Sequence, residues 1–109
     1  MFALPLDLGI LVVDDNSPDG TGDIADRLAQ EHPRRLAVLH RAGKQGLSAA
    51  YLQAFQTLLA GKDTGAIVQM DADFSHDPAA LVEMAKKLEI NDLVLGSRYI
   101  SGGGTDIHW

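Results

Sequence analysis

Residues 8–13 read LGILVV and run straight into residues 14–20, DDNSPDG. The first stretch is a short apolar run with β-branched residues, the pattern of a strand buried on both faces. The second is acidic and dense in turn formers. Residues 21–31 then place Ile24, Ala25 and Leu28 at helical spacing, and His32-Pro33 ends that helix because the residue before proline avoids the helical region. Residues 36–39, LAVL, predict a second strand. Strand, helix and strand in this order make a βαβ unit, whose two strands lie parallel.

The alternation continues outward. Residues 41–46, RAGKQG, form a polar loop before the longest predicted helix, 47–59. There Leu47, Ala50, Tyr51, Ala54, Phe55 and Leu58 make one apolar stripe, and Gly61 is a stop signal. Residues 66–70, AIVQM, predict a third strand, followed by the loop 71–76, DADFSH. Asp77 is a good N-cap and Pro78 suits the first helical position of a helix running to about Leu88. Residues 92–95 predict a fourth strand, closed by Gly96, and the remainder to Trp109 is glycine-rich without a period. Four buried strands separated by helices specify an α/β, three-layer fold, a mainly parallel sheet flanked by helices.

Composition narrows the function classes. The 109 residues fit one domain, expected to bury roughly 65% of the unfolded surface. Lys plus Arg number 9 against 15 Asp plus Glu, a formal charge of −6, which argues against a nucleic-acid binder. Cysteine is absent, so disulfides, thiolate metal sites and cysteine nucleophiles are excluded. No apolar run approaches the ~20 residues of a membrane span. Residues 1–13 are apolar but lack a basic leader, so a signal peptide is not expected.

In a parallel sheet, ligands bind outside the carboxyl ends of the strands. Each predicted strand ends in charge there: Asp14 and Asp15, then Arg41 and Lys44, then Asp71 and Asp73, then Ser97 and Arg98. Asp71 and Asp73 stand two apart, so in an extended segment their carboxylates share a side and suit Mg²⁺ or Mn²⁺. Capping and solvation of the same acids is an equal alternative. Asp14 and Asp15 offer either further metal ligands or hydrogen-bond acceptors to a base or ribose; Asp14, Asn16 and Ser17 equally form turns. Arg41, Lys44 and Gly46 precede a helix N-terminus, which favours a phosphate, though ordinary surface charge explains them as well. Arg98 precedes three glycines and could clamp a phosphate. His76 reads more readily as a hydrogen-bonded loop histidine than as a metal ligand. No nucleophile elbow and no Walker loop are present.

Four stretches in this order, LVVDDNSPDGTGDIA, HRAGKQGLSAAYLQAF, IVQMDADFSHDP and LVLGSRYISGGG, resemble the polyprenol-phosphate (dolichol-phosphate) mannosyltransferases of glycosyltransferase family 2. The resemblance covers about residues 8–104. It implies the GT-A nucleotide-sugar fold and inverting transfer of mannose from GDP-mannose to a polyprenyl or dolichyl monophosphate, with Mg²⁺ or Mn²⁺, at the cytoplasmic surface of a membrane. By resemblance, Asp15 contacts the base, with Asp14 beside it. Asp71 and Asp73 hold the metal and the diphosphate. Arg41, Lys44 and Gly46 lie near the nucleotide, and Arg98 near the reacting phosphates. Ser75 stands where some relatives place a glutamine ligand. Other donors, UDP-glucose among them, are used by relatives with similar motifs, and a nucleotide-binding role without turnover is a further alternative.

The resemblance also implies missing parts. Relatives begin with a strand ending in a P-T-Y-N-E-like motif and a helix, whereas residues 1–7, MFALPLD, look like the end of that helix and its loop. That strand is central, between those at 8–13 and 66–70. Relatives continue past the glycine segment into acceptor-side elements. The chain is therefore expected to be an internal part of a synthase, a partial GT-A domain over 1–109, weakly active or inactive alone. ILVVDDNS also opens response-regulator receiver domains. The long interval from Asp14 to Asp71, and the lack of a lysine after a later strand, oppose that reading.

Overall fold

The computed structural model describes residues 1–61 and 63–104. Residues 105–109, the end of the glycine-rich stretch, and Lys62 lie outside the described residues. The described elements are β1 (Ile10–Asp14), α1 (Thr21–Glu31), β2 (Leu36–His40), α2 (Leu47–Ala60) and α3 (Ala80–Leu88). The chain divides into two compact units, one of residues 7–69 and one of residues 1–6 with 70–109.

In the first unit β1 and β2 pair in parallel, with Ile10 opposite Leu36 and Asp14 opposite His40. The ladder is extended at both ends: Ile10 N–H donates to the Arg35 carbonyl at 2.7 Å and Arg41 N–H to the Asp14 carbonyl at 2.8 Å. Parallel strands need a crossover, and α1 supplies it. The helix stops where the proline requires: His32 N–H returns to the Leu28 carbonyl, and both Arg35 and Leu36 N–H then bond the His32 carbonyl at 2.9 Å. That turn reverses the chain into β2.

The face of α1 that is buried is shifted by one residue from the expected stripe. Gly22 and Ala25 are buried, whereas Ile24 and Leu28 are 51% and 41% exposed. The helical period holds, but the contact side consists of small residues, which let the helix approach the strands closely. The α2 stripe falls as its spacing predicts from Ala50 on. Ala54 is buried, Ala50, Tyr51, Phe55 and Leu58 are partly covered, and Leu47 at the first turn is exposed. Tyr51 and Phe55 stack with ring centroids 6.2 Å apart. Gly61 closes the helix through its N–H to the Leu58 carbonyl at 3.2 Å.

The second unit holds α3. Asp77 caps as expected, its Oδ1 accepting the Ala79 N–H at 2.8 Å, but the regular helix starts only at Ala80. Three-residue hydrogen bonds to the Asp77, Pro78 and Ala79 carbonyls tighten the opening turn instead. Lys86 and Lys87 in the last turn complement the helix dipole.

Two expected strands are absent among the described residues: 66–70 and 92–95 belong to no regular element, and residue 92 is a bend. A strand exists only through a ladder with a neighbour, and no described segment pairs with either one. Leu93 and Leu95, expected in a sheet core, are accordingly exposed. Residues 1–6 form turns, with Leu4 N–H bonded to the Met1 carbonyl at 3.0 Å, rather than a helix end.

Two glycines limit the first unit for opposite reasons. Gly20, preceding α1, has φ 84° and ψ 7° with open space where a Cβ would lie, so Gly20→Ala should cost about 1–2 kcal/mol purely in backbone conformation. Gly22 has ordinary helical geometry, but a Cβ there would stand 2.7 Å from Asp14 Oδ2. Gly22→Ala should therefore lower stability by about 1–2 kcal/mol net, crowding outweighing the helix propensity of alanine. Urea denaturation of both variants measures the two costs.

Candidate active site

The carboxyl ends of β1 and β2 bring Asp14, Asp15, His40 and Arg41 together. Asp14 is the last residue of β1, only 5% exposed. Its Oδ1 accepts the Ser17 N–H at 3.2 Å, closing the turn in which Asn16 adopts φ 58°. Its Oδ2 lies 3.5 Å from His40 Nδ1 across the strand pair, which the register places opposite. His40 Nε2 in turn lies 2.8 Å from Asp26 Oδ1 on α1. The Ser17 hydrogen bond, with help from His40, holds the Asp14 carboxyl below its ordinary range. The Asp26 hydrogen bond raises His40, with Asp14 adding to it.

Arg41 turns the other way. Its side chain is almost wholly buried; Nη1 donates to Asp15 Oδ1 and Nε to Gln53 Oε1 of α2 at 3.0 Å. The guanidinium fork is planar, so fixing Nε and Nη1 fixes its plane. Asp15 keeps part of its surface, 24%, in contact with solvent. Arg41 is thus committed within the protein, and in the loop that follows Lys44 is the exposed cation. Gly46 precedes α2 with φ 93°, a conformation other residues rarely adopt. A shallow hollow of about 250 Å³ lies beside Asp14 and His40, lined also by Ser17, Gly22 and Asp23. A second, of about 230 Å³, is lined by His40, Arg41, Gly43, Gln45 and Gln53.

In the second unit, Asp71 and Asp73 are exposed on the loop 71–76. The Asp73 carboxylate accepts the Ser75 N–H at 2.9 Å, which holds it below its ordinary range with a further contribution from His76. His76 Nδ1 accepts the Asp71 N–H at 2.9 Å. His76 is therefore a loop-closing residue here. Phe74 between them has φ 65° and is 94% exposed. Among the described residues no three ligating side chains cluster as a metal cage would require. Arg98 is exposed, and the chain folds back behind it: Gly103 N–H bonds the Ile100 carbonyl at 2.8 Å, and a Cβ on Gly103 would stand 2.6 Å from the Arg98 carbonyl oxygen.

Three participants escaped the sequence motifs. Asp26 and Gln53 lie on helices at positions that look like solvated surface, and His40 carried little signal at a strand end. The parallel pairing, carried one residue beyond the expected strand ends, could have pointed to the Asp14–His40 contact.

Arg41→Lys should destabilise the chain by about 1–2 kcal/mol, since an ammonium cannot serve both Asp15 and Gln53 from one plane; urea denaturation checks it. Stability should also depend on pH in two directions. The lowered carboxyls, Asp14, Asp19 and Asp73, contribute stability above their ordinary value of 3.8 that is lost as pH falls through their depressed folded values. The raised His40 contributes stability below its ordinary 6.5 that is lost as pH rises through its folded value. Thermal unfolding should therefore peak between 3.8 and 6.5, and His40→Gln should flatten the alkaline side and, to a smaller extent, the acid side, since His40 helps to hold Asp14 low.

Comparison with known proteins bears on this edge. A family model described as glycosyl transferase family 2 matches residues 4–109. The chain is 50% identical over 95 residues to the polyprenol monophosphomannose synthase of Mycolicibacterium smegmatis, covering 86% of this chain and 36% of that protein. It is 46% identical over 112 residues to the undecaprenyl-phosphate mannosyltransferase of Micrococcus luteus, covering 93% and 45%. It is 36% identical over 99 residues to the dolichol-phosphate mannosyltransferase of Pyrococcus furiosus, covering 90% and 26%. The chain thus spans less than half the length of each of these relatives. No solved structure matches it at a significant level. The parallel β1-α1-β2 unit agrees with part of a GT-A fold, and the match across residues 4–109 means that the chain belongs to glycosyl transferase family 2.

Proposed function

We propose that the chain is the donor-binding part of an enzyme that transfers mannose from GDP-mannose, with inversion, to a polyprenyl or dolichyl monophosphate. The observation that carries this reading is the partly exposed Asp15, held by the buried Arg41, at the carboxyl ends of two parallel strands. That is where a nucleotide sits in such a sheet. The names of the three relatives, each a lipid-phosphate mannose enzyme, support mannose and a lipid phosphate.

In this reading the partly exposed Asp15 carboxylate accepts hydrogen bonds from the nucleoside, held in place by Arg41. Asp14, buried and engaged, shapes the turn from within. Lys44, beside Gly46 at the start of α2, attracts the diphosphate. The donor set of Asp71 and Asp73 fits Mg²⁺ or Mn²⁺, since two carboxylates suit an ion whose other ligands are water and substrate phosphates. Asp73 is kept ionised by Ser75 and is ready to ligate. Such an ion, when bound, supplies neutralisation of the diphosphate charge. Arg98 stabilises charge that develops on the phosphates during transfer. The acceptor phosphate, with a second pKa of roughly 6, is already mostly ionised at neutral pH, so the reaction needs no general base.

No helix among the described residues is long and apolar enough to cross a membrane. The reaction places the working site peripherally, at the cytoplasmic face of a membrane where nucleotide sugars meet lipid phosphates. Membership in the glycosyltransferase family displaces the receiver-domain reading of ILVVDDNS.

Calorimetric titration of GDP-mannose and UDP-glucose into the chain, with Mn²⁺ and then EDTA, tests the proposal. The expected result is metal-dependent binding of GDP-mannose that is lost in Asp73→Ala. A preference for UDP-glucose would overturn the donor assignment. Binding that ignores EDTA and Asp73→Ala would overturn the metal role.

A further inference from the structure

His40 joins three elements through one ring. It ends β2, its Nε2 lies 2.8 Å from Asp26 Oδ1 on α1, and its Nδ1 lies 3.5 Å from Asp14 Oδ2 at the end of β1. A neutral imidazole carries one N–H, whereas two carboxylates facing both nitrogens call for two donors. Only the imidazolium satisfies both. The acidic groups around the ring come from every neighbouring element: Asp14 from β1, Asp26 from α1, and Asp23 of α1 in the hollow beside it. His40 is the one basic side chain among the described residues that line that hollow, and on its other side the ring shares the second hollow with Arg41, whose guanidinium is paired with Asp15.

The far end of this chain of contacts is the acidic turn. Asp14 Oδ2 lies in the space that Gly22 leaves open, where a Cβ would stand 2.7 Å from it, and Oδ1 meets the Ser17 N–H at 3.2 Å. Asp15 follows directly, its carboxylate paired with Arg41. Fixing Asp14 therefore fixes the backbone that presents Asp15.

We propose that His40 is a positioning residue: as an imidazolium clamped between Asp26 and Asp14 it holds the turn of residues 14–17 in place, so that nucleotide binding through Asp15 weakens when His40 loses its proton. The first half stands on geometry alone; the second rests on the reading of Asp15 as the nucleoside contact. The Asp26 hydrogen bond raises the proton affinity of His40, so the clamp stays closed to a higher pH than an ordinary imidazole would allow.

The test uses the 109-residue chain and two readouts. The first is the hydrogen-exchange protection factor of the Ser17 amide, corrected for intrinsic pH dependence, followed alongside the His40 ring titration by NMR. Protection should fall about two- to fivefold as His40 deprotonates, the range of a half-exposed ion pair. Asp26→Asn should move both transitions together to lower pH, and His40→Phe should abolish the pH step. Protection that ignores the His40 titration in the wild type would overturn the positioning role. The second readout is GDP affinity across the same pH range, with Asp15→Asn for comparison. Affinity that falls with the Ser17 step and is weakened by Asp15→Asn supports the whole inference. Affinity indifferent to both, with the Ser17 step intact, overturns the nucleoside reading of Asp15 while the clamp stands. Affinity weakened by Asp15→Asn but flat across the His40 titration overturns the coupling.

Discussion

The parallel register that sets Asp14 opposite His40 is the constraint on which the described first unit depends. It is a backbone property, set by five paired residues on each strand. From it follow the contact between an acid and a histidine at the strand ends and the continuation of the ladder into Arg41. A slip of one residue would turn both charged side chains to the other face. The small buried side of α1 belongs to the same constraint. Gly22 lets the helix lie against Asp14, and the approach brings Asp26 within reach of His40.

The consequence is a division of labour between two adjacent acids. Asp14 is buried and spent on shape, tied to Ser17 and His40. Asp15 is partly open and paired with an arginine that α2 holds through Gln53. Buried charge is tolerable only when its hydrogen bonds are met, and in this edge they are. Arg41 therefore belongs with the architecture of this edge, while Lys44 in the loop that follows is exposed. The same economy is seen on the loop 71–76, where Ser75 and His76 tie the segment locally and leave two carboxylates facing solvent.

The βαβ unit was legible from residues 8–40 because apolar runs, a proline stop and an acidic turn all point one way. Helix positions were read to within a residue or two, the start of α3 being the largest shift. The strands at 66–70 and 92–95 were not legible in the same sense. Their composition favours a buried strand, but composition cannot supply the neighbour whose N–H and C=O groups would complete the ladder. That Asp14, Asp15 and Arg41 gather at the strand ends was legible from their positions. Asp26 and Gln53 were not, since a polar residue on a helix says nothing of its partner until the helix is packed.

By itself the sequence determined the family, the parallel β1-α1-β2 order and the acidic edge, because these rest on local pattern and on motifs in register. Only the tertiary structure decided which acid is buried and which is open, that Arg41 faces inward, and that His40 sits between two carboxylates. Those outcomes depend on the register of two strands and the closeness of one helix, and hence on distances between residues far apart in the chain.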